Sequence, residues 1–135
     1  MLEIKIPMRP VAKARPRFAN GRCYTDEKTK RAEDAIAWAV KAEMIKHGIP
    51  MYETALSMYV EFGFAFPKSL SKQERELVKN GKFHHIKRPD LDNVCKTVMD
   101  SLNGLAYRDD SLIAHLEAFK VYGESDHIII RLEEI

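Results

Sequence analysis

Between Ala55 and Pro67 the chain alternates without a break. Leu56, Met58, Val60, Phe62, Phe64 and Phe66 fall on one side, and smaller or polar residues fall between them. A two-residue period is that of a β-strand. Six large apolar side chains on one face must be covered, so residues 55–66 predict a strand inside a layered fold. Pro67 ends it, because proline donates no ladder hydrogen bond.

The remaining elements are read around that strand. Leu2, Ile4 and Ile6 alternate and predict a first strand over 2–6. Residues 7–26, with three prolines and Gly/Asn turn signals, predict an extended basic loop or arm. Thr25 or Asp26 can cap a helix over about 27–47, where Ala32, Ala35, Ile36, Ala39, Val40 and Met44 keep helical spacing. Gly48 and Pro50 stop it. Ser69 or Ser71 can cap a short charged helix ending near Lys79, before Asn80-Gly81. After Pro89, residues 90–103 predict a third helix with Leu91, Val94, Cys95, Val98 and Leu102 on its buried stripe. Residues 111–122 and 127–133 predict two last strands, paired as a hairpin around Gly123–Asp126. The expected whole is one α+β domain over 1–135, a mixed sheet of about four strands flanked by helices.

Apolar residues make up 45% of the chain and charged residues 31%, which excludes a disordered or membrane-embedded class. No apolar run approaches the ~20 residues of a membrane span. The first residues lack the apolar core of a signal peptide. Cys23 and Cys95 have neither metal spacing nor a disulfide framework, so a reducing cytoplasm is expected.

The net charge of +2 conceals an uneven distribution. Arg9–Arg31 holds eight Lys/Arg against two Asp/Glu, and Lys68–Arg88 holds seven against two. From Pro89 onward there are four Lys/Arg against ten Asp/Glu. Solvated faces can account for such runs. A positive surface around a negative site is the alternative, and the arm supports it by mixing Arg9, Lys13, Arg15, Arg17 and Arg22 with Phe18 and Tyr24, as nucleic-acid binders do.

The acidic part is concentrated in Asp90-Leu91-Asp92-Asn93-Val94-Cys95-Lys96 and in Asp109-Asp110-Ser111. On a helix, Asp92, Lys96 and Asp100 share a face away from the apolar stripe, with Asp90 at the start. Each residue has an ordinary structural reading. Asp90 suits a helix cap, Asp92 the first turn, Asp92 with Lys96 an ion pair, and Asp109-Asp110 a turn. Together they have the composition of a site where carboxylates hold a hard cation such as Mg²⁺ and a lysine offsets phosphate charge. His84 and His85 sit in a basic loop and suit phosphate contact or no role better than catalysis. Trp38 and Met44 are read as packing or dimer contacts, and Cys95 as a core residue.

Asp-Leu-Asp-Asn followed by Lys, then Asp-Asp-Ser, resembles the RusA family of Holliday-junction resolvases, common in phages and prophages. Lys13-Ala14-Arg15-Pro16-Arg17, Gly21-Arg22-Cys23-Tyr24-Thr25 and Lys28-Thr29-Lys30 resemble the arm and first helix of its members. The basic segment Lys68–Arg88 is longer than in the shortest members. The resemblance implies essential, metal-binding carboxylates at Asp90, Asp92 and Asp110, an essential lysine at Lys96, and a lesser role for Asp109. It implies Mg²⁺, for which Mn²⁺ can substitute, and branched DNA as partner in recombination and repair. It also implies a homodimer, which the two-fold symmetry of a four-way junction requires for paired nicks on opposing strands. Lys13, Arg15, Arg17, Arg22, Lys28, Lys30, Lys87 and Arg88 are the expected DNA contacts. A junction-binding protein without catalysis, which would need no carboxylate cluster, and a different small nuclease are the competing readings.

Overall fold

In the computed structural model, which describes residues 1–15, 17–24 and 26–135 and only the backbone of Arg17 and Tyr24, ten elements follow one another. They are β1 (Leu2–Ile6), β2 (Arg17–Ala19), β3 (Arg22–Tyr24), α1 (Glu27–His47), β4 (Leu56–Ala65), α2 (Lys72–Lys79), α3 (Leu91–Ser101), a 3₁₀ turn (Asp110–Leu112), β5 (Ile113–Gly123) and β6 (His127–Glu134). A mixed four-stranded sheet runs β1-β6-β4-β5, antiparallel except for the parallel β4–β5 pair.

The alternating run at 55–66 becomes β4, the strand with neighbours on both sides. Leu56, Met58, Val60, Phe62 and Phe64 lie at most 2% exposed. In register with them on the same face stand Leu132, Ile130 and Ile128 of β6 and Leu2, Ile4 and Ile6 of β1. Ile36, Val40 and Met44 of α1 and Val94, Val98 and Leu102 of α3 close over that face and complete the core. The helices expected to flank the sheet do so on one side: α1 and α3 both pack on one face, and the other carries Ser57, Tyr59, Glu61, Arg131 and Phe119, the last 47% exposed. There Arg131 lies 4.6 Å over the Tyr59 ring, and Tyr59 meets Phe119 at 5.7 Å. α2 buries no residue and is held locally, by a capping box between Ser71 and Glu74.

Two expectations change. β5 and β6 do not form a hairpin: β4 lies between them. The three residues 124–126 carry the chain over the end of β4, across two strand spacings, or about 10 Å. That end is built to be crossed. The Ala65 N–H donates to the Asp126 carboxylate (2.8 Å) and the Phe66 N–H to the Gly123 carbonyl (3.0 Å). Gly63 has no side chain, and the His127 ring occupies the space where a Cβ would stand. His127 Nδ1–H donates to the Ser125 carbonyl (3.0 Å), and Nε2 lies 2.8 Å from the Glu61 carboxylate. The arm, expected to be extended, contains the short hairpin β2–β3. Its two-residue turn is Asn20-Gly21, both at positive φ (52° and 73°), as a type I′ turn requires.

Asp26 caps α1 by accepting from the Lys28 N–H, while Thr25, the other expected cap, lies outside the described residues. Gly48 ends the helix at φ 62°. Among the described residues, no helix is long and apolar enough to cross a membrane.

Candidate active site

α3 carries the first acidic cluster because its two sides differ. Val94, Cys95, Val98 and Leu102 are buried against the sheet and α1. The buried hydroxyls on that side are satisfied within the helix, Thr97 donating to the Asn93 carbonyl and Ser101 to the Val98 carbonyl. The opposite side leaves Asp92 and Lys96 exposed. Asp90 occupies the cap position, yet its carboxylate makes no capping hydrogen bond. Asp92 accepts from the adjacent Asn93 N–H of α3 (3.0 Å), and among the described residues it forms no ion pair with Lys96. The Asp90 carboxylate is therefore free of the helix, and that of Asp92 is held there by one main-chain bond.

The second acidic cluster reaches the same place through Tyr107. Its ring is fully buried, and its hydroxyl donates to the Met99 carbonyl near the C-terminal end of α3 (2.7 Å). Burial raises the phenol pKa far above its ordinary value, and the charges of Asp110, Asp100 and Asp109 add to that. Asp109 is used locally. The Ser111 hydroxyl first, and then the Ser111 N–H (3.0 Å), which caps the 3₁₀ turn, hold its carboxyl below the usual range. Asp110 is left to face the groove between α3 and β5. That groove, about 570 Å³, has Asp92, Lys96, Asp100 and Asp110 on its polar side and Leu91, Cys95, Met99, Leu116 and Ala118 on its apolar side.

Asp90 stands apart from these. It opens on an adjoining cavity of about 440 Å³ with Arg9, Lys28, Arg88 and Asn93. The residues that flank it contact β5 at Lys120, whereas Asp110 precedes β5 and sits near Met99. β5 thus runs back along α3, and Asp90 and Met99 are separated by about 13 Å of helix axis. Among the described residues no three His, Cys, Asp or Glu side chains are gathered as a ready metal cluster. The donors on offer are all carboxylate oxygens, which suit a hard cation. Magnesium keeps several waters and is commonly bound through one or two carboxylates plus phosphate, so an open set of this kind fits it. The Cys95 sulfur does not compete: burial, with the Asp92 charge, pushes its thiol up to about 11. Asp100 is engaged elsewhere, 3.3 Å from Lys13 Nζ.

The expected DNA contacts divide. Arg15, Arg22, Lys28, Lys30, Lys87 and Arg88 are exposed, and Lys28 and Arg88 share the cavity of Asp90. The Arg17 side chain lies outside the described residues. Lys13 is turned inward, with Nζ 2.6 Å from Glu33. Burial works against its ammonium, but Glu33 and Asp100 together raise its pKa. Its backbone N–H also donates to the Asn93 carbonyl (2.9 Å), so Lys13 pins the root of the arm to α1 and α3. Phe18, 80% exposed, stands on the hairpin. Of the paired histidines, His84 is exposed, whereas His85 is buried and stacked on Phe64 at 4.1 Å.

Three residues went unnoticed in the sequence. Glu61 and His127 hold the β5–β6 crossing. Lys120 lies on the inward face of β5, beyond Leu116 and Ala118, and its Nζ donates to the Lys87 and Pro89 carbonyls (2.8 and 3.0 Å). A lysine in phase with inward apolar residues was the available signal.

Comparison with known proteins supplies the family. The chain is similar to Uncharacterized protein YqaN of Bacillus subtilis (strain 168), 32% identical over 135 residues that span 93% of this chain and 91% of that protein. It is also similar to Crossover junction endodeoxyribonuclease rusA of Lactococcus phage r1t, 47% identical over 49 residues, or 36% of this chain and 37% of the phage protein. The model of the family Endodeoxyribonuclease RusA matches residues 7–133, nearly the whole length, and the chain belongs to that family of endonucleases.

Proposed function

We propose that this protein is a divalent-cation-dependent endonuclease that resolves four-way DNA junctions as a homodimer, by paired nicks on opposing strands, in recombination and repair. The observation that carries the reading is the single groove lined by Asp92, Lys96 and Asp110, in a chain of the RusA family with exposed basic residues beside it. Asp92 and Asp110 in the groove, and Asp90 in the adjoining cavity, would hold one or two Mg²⁺ ions, or Mn²⁺ in their place. Such a cation supplies Lewis acidity at a phosphodiester and a more acidic water.

The rest falls to the chain itself. Lys96 offers a cation on the carboxylate side of α3, where it can offset charge on the phosphate or the leaving oxygen. Arg88 and Lys28, beside Asp90, suit a neighbouring phosphate of the same strand. The exposed arm extends the basic surface along the DNA and adds affinity without reading bases. Each chain holds one copy of Asp90, Asp92, Lys96 and Asp110, so two equivalent cuts need two chains.

The test is incubation of the pure protein with a synthetic four-way junction and with linear duplex of the same sequence. Paired nicks on the junction are expected in Mg²⁺ or Mn²⁺, and none in EDTA. Junction binding without cutting in either metal would support the binding-protein reading. Equal cutting of duplex and junction would point to a general nuclease.

A further inference from the structure

Asp90 begins α3 at the end of a loop that has little regular structure of its own. Two inward attachments hold that loop. His85 is 7% exposed and packs against Phe64 and Tyr122, with ring centroids at 4.1 and 4.9 Å. Two residues later Lys120 takes over, its ammonium donating to the carbonyls of Lys87 and Pro89. Those carbonyls belong to the residues three and one before Asp90, so they bracket Arg88 and fix the backbone from which the Asp90 side chain leaves.

We infer that Lys120 is a positioning residue for the Asp90 carboxylate, acting through the Lys87 and Pro89 carbonyls rather than through DNA or the cation. The inference rests on the proposed metal-binding role of Asp90. Its physical basis is the geometry of the pair. Two of the three ammonium protons are spent on the chain, from a rigid inner position on β5, which is itself paired along its length to β4. Both acceptors are neutral main-chain oxygens, so the charge-assisted bonds orient the loop without neutralising Asp90 or any carboxylate of the groove. β5 then does two things for the site: its start presents Asp110, and Lys120, further along the strand, sets Asp90. Outer partners of this kind typically change metal affinity by about 10- to 100-fold when removed.

The variants are Lys120→Met, which keeps length and loses the donors, and Lys120→Arg, which keeps charge and donors. Three quantities are read on each: the Mg²⁺ concentration giving half-maximal junction cleavage, junction affinity in Ca²⁺ over a range of salt, and amide hydrogen exchange of residues 84–92. For Lys120→Met we expect the Mg²⁺ requirement to rise about tenfold, with cleavage largely restored at saturating metal. Exchange should quicken in 86–91 and not in β4 or β6, and junction affinity should stay within about twofold. Lys120→Arg should recover most of the metal response. A reduced salt slope with an unchanged Mg²⁺ requirement would make Lys120 a phosphate contact and overturn the inference. Unchanged exchange in 86–91 would overturn it too. Were Lys120→Met to fold poorly, a normal Mg²⁺ requirement in Lys120→Gln, which shortens the reach, would have the same effect. Failure of the wild-type protein to cut in any metal would count against the nuclease reading, whereas the exchange data would still judge the loop clamp.

Discussion

The groove between α3 and β5 and the arm at 7–26, which the proposed function assigns to one substrate, differ in construction. In the groove Asp92 and Lys96 project from a helix whose other side is packed in the core. Val94 and Val98 lie beneath Asp92 and Lys96, and Tyr107 anchors the segment carrying Asp110. The arm has a hairpin of two three-residue strands with an outward Phe18, and joins the body through Lys13 and Ala14. Chemistry at a phosphate depends on placement within fractions of an ångström, and rigid elements provide that. Attraction to a charged polymer falls off over about 10 Å at 0.1 M salt and tolerates loose placement. On the proposed function, those two tolerances suit carboxylates on packed elements and exposed arginines such as Arg15 and Arg22 on the arm.

The largest test of this division removes charge from the rigid part. Asp92→Asn, Asp90→Asn and Asp110→Asn should each reduce junction cleavage on the order of 10³-fold, or about 4 kcal/mol, because each weakens the hold on a cation worth several kcal/mol. Junction binding in Ca²⁺ or EDTA should be unchanged or tighter, since a negative charge beside phosphate has been removed. Cleavage rates measured under single-turnover conditions decide it. Normal cutting by Asp92→Asn would place the chemistry elsewhere and dissolve the comparison.

A second test asks whether the sheet behind the groove is as unyielding as the comparison requires. Gly63 faces the His127 ring with no room for a Cβ. Gly63→Ala must displace that ring from Glu61 and Ser125, and should cost roughly 1–3 kcal/mol in urea denaturation. His127→Ala alone removes the same ring from the same partners, so the double variant should be less destabilised than the sum of the two. A fully tolerated Gly63→Ala would show that the β5–β6 crossing gives way easily.

Much of this was legible in the chain. Strict alternation made β4 unmistakable, and the stripe of α3 followed from helical spacing, so the two faces that separate Asp92 from Val94 were readable. Strand partnership was not. β5 and β6 are three residues apart and each has one inward face, a pattern that a hairpin and a crossing over β4 satisfy equally; only Gly63, opposite a large ring, marks the difference. Asn20-Gly21 is a strong hairpin turn, but its strands are too short for alternation to reveal them. At the site, residue types were readable while directions were not. Lys13 and Arg15 look alike in sequence, and one is held by Glu33 and Asp100 while the other is exposed. The sequence suggests that Asp90, Asp92 and Asp110 converge, yet their spread along α3 depends on which way β5 runs, a property of the sheet alone.

That contrast between lysine and arginine gives a smaller effect. Replacing Arg15 and Arg22 by Ala should lower the slope of log affinity against log salt by about 0.9 for each phosphate no longer neutralised, with single-turnover cleavage at saturating protein unchanged. Lys13→Met should leave the slope alone, because its ammonium faces Glu33 and Asp100, and should reduce stability instead. Fluorescence anisotropy on a labelled junction at several salt concentrations separates the two. A slope change in Lys13→Met equal to that of the arginines would erase the distinction between the root of the arm and its exposed part.

The smallest effect concerns the loop that joins the two regions' charges. His85 is buried against Phe64 and Tyr122. Burial first, then the nearby Lys120, and further the charges of Arg9 and Lys87, lower its pKa from the ordinary 6.5. The folded protein therefore prefers the neutral ring more strongly than the unfolded chain does. Between the lowered value and 6.5 the unfolded chain binds more protons, so stability rises with pH there. This contribution is fully present above 6.5 and is lost as pH falls through the folded value. Thermal unfolding followed from about pH 7.5 downward should show a decline beginning near 6.5, and His85→Phe, which keeps a ring against Phe64 and Tyr122, should remove that part of it. The four other histidines limit how large a share this can be. An identical pH profile for His85→Phe and wild type would mean that the ring titrates as it does in the unfolded chain, and that the loop before Asp90 belongs with the loosely held arm rather than with the rigid groove.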